Sequence, residues 1–242
     1  MYIGPMTSND IGFGIFCFGN DYYYKGAYDK ITHILDAGYE CYVLTENPDY
    51  FKDISDCLNI VPYFRSYKSY HDKMILPRQI LKDCQYCILM DADLEINDYS
   101  FLDDLRHYDF QTGISYIDVL LNHPERKECV KELDLCSREW NDYNRYCQTI
   151  CPTFKSFKLI WEYFLVINKD GFNPEFFLHY DKLQIKKESC YFDAQKEVNA
   201  PGEGISITVS SVLSNTPIQR DLVLYELLKD KMKSISTRFS HP

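Results

Sequence analysis

Apolar and polar positions in the first hundred residues switch repeatedly between two rhythms. The nearly unbroken apolar run Ile11-Gly12-Phe13-Gly14-Ile15-Phe16-Cys17-Phe18 predicts a buried strand, closed by the turn residues Gly19-Asn20-Asp21. From Tyr28 to Ala37 the apolar positions Ile31, Ile34 and Leu35 fall at helical spacing, and Gly38 supplies a stop. Cys41 to Thr45 reads as a second strand, ended by Asn47-Pro48, and Ile60-Val61 before Pro62 as a short third. Tyr70 to Cys84 carries Met74, Ile75, Ile80 and Leu81 on a helical period, with Pro77 marking a kink or a first turn. A further apolar run, Tyr86-Cys87-Ile88-Leu89-Met90, follows at once. Strands alternating with helices predict parallel pairing and an α/β layered fold.

Beyond Glu95 the rhythm loosens. Ser100 is the expected cap of a short helix holding Phe101, Leu102 and Leu105. Gly113 to Ile117 and Leu159 to Ile167 read as strands, with the charged stretch from Asn122 to Tyr146 between them as partial helix or loop. Asn173-Pro174, a capping residue followed by proline, predicts a helix over Glu175 to Leu183. Pro201-Gly202-Glu203-Gly204 opens another, with Ile205, Thr208, Val209, Val212 and Leu213 at helical spacing. Leu222 to Met232 is expected as a last helix. There is no repeat, low-complexity tract or linker, so the expectation is one domain over residues 1–242.

Composition narrows this picture. With 242 residues, 45% hydrophobic and 16% aromatic, the chain has ample material for a core. A net charge of −10 argues against a broad nucleic-acid surface. The first ten residues lack a secretory pattern, and no apolar run approaches the roughly 20 residues of a membrane span. A soluble, cytoplasmic protein is expected. The 10 cysteines include the close pairs Cys84/Cys87 and Cys147/Cys151, but neither has a matching partner set, so free thiols in a reducing compartment are expected.

The chemistry concentrates at Asp91-Ala92-Asp93, where the last apolar strand of the first half stops on two carboxylates. Like charges placed together are costly unless a cation or hydrogen bonds compensate them. A turn lets both converge on one hard ion, Mg²⁺ or Mn²⁺, held against a diphosphate.

Asp-X-Asp after an apolar strand, preceded by the basic-residue helix of His71-Asp72-Lys73-Met74 and by two earlier strands, resembles the GT-A class of nucleotide-sugar-dependent glycosyltransferases. The stretch from His71 to Ile96 is similar to the blood-group and glycogenin-like branches. The resemblance is fairly good over residues 11–96 and only in outline beyond. It implies a GT-A-like, Rossmann-type sheet with helices on both faces, residues 11–96 holding the nucleotide sugar and 97–242 the acceptor. It further implies that Asp93 ligates Mn²⁺ or Mg²⁺ while Asp91 contacts the ribose or ligates through water. A C-terminal histidine as third ligand makes His241 the first candidate and His179 the second. The ends of the first two strands, with Phe18, Asn20, Tyr22, Thr45 and Glu46, would hold base and ribose. Tyr24 is an alternative to Tyr22 for stacking.

Lys73 and Arg78 are expected to reach the phosphates or donor sugar, where charge neutralisation is needed. Glu203, between two glycines at a helix start, is the candidate catalytic residue. A carboxylate is favoured there by the helix dipole, and the backbone can come close to a substrate. In inverting members of the class such a residue takes the acceptor proton. In retaining members an acidic residue nearby orients the acceptor. Trp161 and Glu162 are acceptor-side candidates.

The expected activity is sugar transfer from a nucleoside-diphosphate sugar, with UDP favoured, to a hydroxyl of a glycan, protein, lipid-linked sugar or modified DNA base. Heavy use of Tyr, Phe, Ile, Lys, Asn and Asp suggests an AT-rich genome, such as that of a phage, a large virus or a low-GC bacterium. Two rivals remain: a nucleotidyltransferase, which usually has a Gly-rich basic loop where this chain has only Gly19-Asn20-Asp21, and a non-catalytic nucleotide-sugar-binding protein. A haloacid-dehalogenase phosphatase also carries Asp-X-Asp. It expects the motif near the N-terminus and Thr or Val two residues on, where Glu95 stands here.

Overall fold

The structure, a computed structural model, describes residues 10–63, 70–117, 163–191 and 203–234. Its centre is a mixed seven-stranded sheet. In chain order the strands are β1 (Ile11–Cys17), β2 (Glu40–Thr45), β3 (Leu58–Pro62), β4 (Tyr86–Asp91), β6 (Gly113–Tyr116), β7 (Phe164–Asn168) and β8 (Ile218–Arg220). They lie in the order β3-β2-β1-β4-β7-β6-β8, while β5 (Leu94–Ile96) and β9 (Met232–Ser234) form a separate two-stranded ribbon.

The first four strands run parallel, with Cys17 level with Thr45 and Phe16 level with Asp91. Their carboxyl ends therefore share one edge of the sheet. The second half departs from that pattern: β7 is antiparallel to both β4 and β6, and β8 returns parallel to β6.

Strand alternation sends successive residues to opposite layers. Phe13, Ile15, Val43, Ile88, Met90 and Val166 face α1 (Asp21–Asp36), α3 (Phe101–Leu105) and α6 (Leu222–Leu228). Phe16, Leu44, Leu89, Leu165 and Ile167 face α2 (Ile75–Asp83), α4 (Glu175–Tyr191) and α5 (Glu203–Ser214). Helices thus cover both faces, as expected of an α/β fold. Gly12 and Gly14 interrupt β1 on the α2 side for a spatial reason. A Cβ at Gly12 would lie 2.4 Å from Ile80 Cγ2, and one at Gly14 would lie 2.7 Å from Leu89 Cδ2.

Several boundaries differ from the sequence expectation, each because something outside the local pattern intervenes. α1 begins at Asp21, seven residues before the expected start at Tyr28, because Asn20 accepts a hydrogen bond from Tyr22 N at 3.0 Å and caps it there. Ser100 stands at the N-cap position of α3 as expected, but its side chain makes no capping bond: its N and Oγ donate to Asp98 at 2.8 Å each. Leu222 to Met232 is not one helix. Asp221 caps α6 through Leu224 N, the helix stops at Leu228, and the buried Met232 pairs with Ile96 as part of a strand. Proline 77 sits inside the first turn of α2, where it displaces no helical hydrogen bond. The expected strand from Leu159 is present as β7 from Phe164, its earlier part lying outside the described residues, as does Asn122–Tyr146. No helix among the described residues is long and apolar enough to cross a membrane.

Candidate active site

The strand order makes one position on the carboxyl edge special. The chain leaves β1 through α1 on one face, builds outward to β2 and β3, then returns through α2 on the other face to place β4 beside β1. Connections diverge at that point, and it is there, between the carboxyl ends of β1 and β4, that an open α/β sheet usually forms its ligand crevice. Asp91 is the last residue of β4, and Ala92-Asp93 form the turn that leads into β5. The sequence motif lies at this crevice.

Lys73 is brought to the same place. It lies in a 3-10 turn, Tyr70–Met74, just ahead of α2, and is 3% exposed. Its Nζ is 3.1 Å from Asp91 Oδ1. The neighbouring Asp72 is fully buried and accepts a 2.6 Å hydrogen bond from Tyr63 Oη, which ties the turn to the end of β3. Charge-assisted contacts of this kind fix a cation where an anionic ligand would arrive.

Tyr22, on the first turn of α1, is 45% exposed and meets Tyr23 edge-on with ring centroids 5.7 Å apart. Its phenol is shifted upward, first by burial and then by the charges of Asp93 and Glu95, which puts it in the field of the acidic turn. Gly19, at φ +101°, lets the backbone turn between β1 and α1, and its amide donates to Glu46 Oε1 at 3.2 Å. Phe18 packs on Phe16 at 4.8 Å between centroids and, more loosely, on Tyr63.

Other expected ligand contacts are occupied by the fold. Thr45 is completely buried, and its hydroxyl closes the turn after β2 by accepting from Asn47 N at 3.1 Å. Asn20 spends its side-chain oxygen on the α1 cap. Arg78 reaches across to α4, where it ion-pairs with Asp181 and lies 4.7 Å over the Phe177 ring, so its guanidinium joins two helices. Tyr24 is buried against Tyr50 and Phe51 as core. His179 is partly buried on α4, its imidazole pushed down by burial and by Lys182. Glu203 opens α5 as the sequence predicted. His241, Trp161 and Glu162 lie outside the described residues.

One participant has no sequence signal. Lys30 projects from the apolar face of α1, 3% exposed, and donates to Ala92 O at 2.8 Å and to Gly26 O at 3.1 Å. Burial lowers its ammonium to about 8 against the opposing pull of Asp93, Asp29 and Asp91. A lysine among Ala27, Ile31 and Ile34 reads only as an imperfection of an amphipathic stripe until its partner, 62 residues away, is known.

As a donor set, Asp91 and Asp93 offer hard carboxylate oxygens and nothing soft. Among the described residues no group of three or more His, Cys, Asp or Glu is assembled to cage an ion. Two carboxylates fit Mg²⁺ or Mn²⁺ of the kind that fills its octahedral shell with water and substrate phosphates.

No protein-family model matches the chain, and no curated protein matches it significantly. Among solved structures it is similar to the galactosyltransferase LgtC in complex with donor and acceptor sugar analogues, at 13% identity and TM-score 0.42, covering 86% of this chain and 72% of that one. It is also similar to an active-site mutant of LgtC, at 14% identity and TM-score 0.41, with the same coverage of both chains.

Proposed function

We propose that the chain is a glycosyltransferase of the GT-A kind that moves a sugar from a nucleoside-diphosphate donor, UDP by preference, to an acceptor hydroxyl. The observation that carries this reading is the Asp91-Ala92-Asp93 turn at the crevice between β1 and β4, with the buried Lys73 held against Asp91. Asp93 and Asp91 would hold Mn²⁺ or Mg²⁺. A divalent ion there supplies Lewis-acid stabilisation of the departing diphosphate.

The chain's own residues do the remainder. Lys73 adds a fixed positive charge beside the diphosphate, in a site dry enough for it to count. Tyr22 offers a half-exposed ring at the mouth on which a pyrimidine can stack, and Phe18 with Glu46 borders that pocket. Glu203, at the start of α5, is the residue assigned to the acceptor hydroxyl. The acceptor class, whether glycan, protein, lipid-linked sugar or modified base, follows from residues 97–242 under this reading, and the protein acts as a single domain.

The test is a thermal-shift panel of UDP-sugars and nucleoside triphosphates with and without Mn²⁺. A ligand at about a hundred times its Kd adds about 2.7 kcal/mol, or roughly 5–10 °C for a chain of this size. Wild type is expected to show that rise with UDP-sugar and Mn²⁺ together, and Asp93→Asn to lose it. Stabilisation by triphosphates and by no diphospho-sugar would make the protein a nucleotidyltransferase instead.

A further inference from the structure

Lys30 carries the next inference. A lysine on the buried face of a helix is costly unless its ammonium protons meet acceptors. Here one goes to the carbonyl one helical turn back, Gly26 O, and another crosses to Ala92 O, the middle residue of the acidic turn. A second, independent observation marks the same contact. A Cβ on Gly26 would stand 2.5 Å from Ala92 O, so the turn rests on α1 where the helix is bare backbone. Glycine weakens a helix interior, and at this position it makes room for the turn. Lys30 and Gly26 are one helical step apart, and both address a single carbonyl.

Resting on the assignment of Asp91 and Asp93 to the diphosphate-bound ion, we propose that Lys30 is a positioning residue, which clamps the Ala92 carbonyl onto α1 and thereby aims both aspartates into the crevice. Ala92 lies between the two carboxylates, so holding its carbonyl restrains the peptide unit that joins it to Asp93 and, through a two-residue turn, the backbone that leaves Asp91. Asp93 and Asp91 are also among the acidic groups whose charge acts on the Lys30 ammonium. The amine therefore eases the repulsion between the carboxylates from below, while its hydrogen bond sets their direction.

These two effects predict opposite signs for metal affinity. On charge alone, removing a cation beside two carboxylates tightens Mn²⁺ binding. Losing the clamp loosens it. The experiment uses the full chain, Mn²⁺ alone as probe followed by the spin resonance of the free ion, and amide hydrogen exchange at Ala92 and Asp93 without metal. Lys30→Met keeps the bulk and removes both charge and donors. It is expected to bind Mn²⁺ at least tenfold more weakly and to exchange the turn amides at least tenfold faster, with β1 and β4 still protected. Unchanged or tighter Mn²⁺ binding, or turn exchange at the wild-type rate, overturns the proposal. Gly26→Ala keeps the lysine and pushes the same carbonyl, so it should loosen the turn in the same way, and it decides the matter if Lys30→Met does not fold. If wild type takes up no Mn²⁺, the metal assignment of the aspartates falls, and the exchange rates alone decide for or against the clamp.

Discussion

At the scale of residues, the two aspartates of the motif are not equivalent. Asp91 ends a strand, and its Oδ1 faces the nearly buried Lys73 at 3.1 Å, whereas Asp93 lies beyond it in the turn. Hydrogen bonds to charged groups are worth about 1.5–3 kcal/mol, so Asp91→Ala, which removes the acceptor of Lys73, should lower stability by about that much in urea denaturation. Asp93→Asn should abolish the response to UDP-sugar and Mn²⁺ in the thermal-shift panel. An Asp93→Asn variant that still responds would contradict the assignment of Asp93 to the ion. The motif itself was readable from residues 86–93 because an apolar run stopping on acid is a local pattern. Lys73 was readable as a nearby base. Arg78 had the same credentials and went elsewhere, since the acid and ring that take it, Asp181 and Phe177, belong to a helix about a hundred residues further on.

Among elements, the contact that positions the site most directly is α2 against β1. Gly12 and Gly14 let Ile80 and Leu76 approach the strand at backbone distance, and α2 is the helix that delivers the chain into β4. Gly14→Ala would put a methyl 2.7 Å from Leu89 Cδ2 and 3.2 Å from Leu76 Cβ. Overpacking of this sort costs about 1–3 kcal/mol, and the urea midpoint should fall accordingly. If the midpoint rises instead, the layer is looser than the packing implies. The β5–β9 ribbon makes the complementary point. Leu94 and Ile96 pair with Ser234 and Met232, so the segment just after the acidic turn is held by the far end of the chain. A helical rhythm continued through Met232 in the sequence, but pairing with β5 prevailed, because a strand partner satisfies backbone groups that periodicity does not register.

At the scale of the molecule, the buried thiols among the described residues weigh on the response to alkali. Burial raises Cys17 to about 12 and Cys84 to about 11, and also raises Cys41 and Cys87. The folded state therefore keeps these protons where the unfolded chain releases them, so the stability they contribute is complete below about pH 9 and is lost as pH rises above it. Tyr99 and Tyr108, raised by burial and by Asp29 and Asp221 respectively, extend the loss past pH 10. Lys30 acts the other way. Lowered to about 8, it lets the unfolded chain hold more protons from there up to its ordinary value, and so adds stability with rising pH in that window. Four thiols and two phenols outweigh one amine, and the urea midpoint should be lower at pH 10.5 than at pH 8.5. A midpoint that rises over that interval would show that the thiols are not sequestered.

Taken by itself, the sequence determined that strands and helices alternate in the first half, that the last of those strands ends on Asp91-Ala92-Asp93, and that a helix begins at Glu203. Each of these follows from side-chain periodicity or from capping and turn chemistry within a dozen residues. Only the tertiary structure decided that β7 runs against the early strands, between β4 and β6, and that Thr45 is sealed inside. It also decided that Arg78 serves α4, and that an unremarkable lysine on α1 grips the acidic turn. Those outcomes depend on groups tens of residues apart meeting in space. Burial and hydrogen-bond satisfaction are settled by which partners the fold brings together, and a linear pattern does not contain that information.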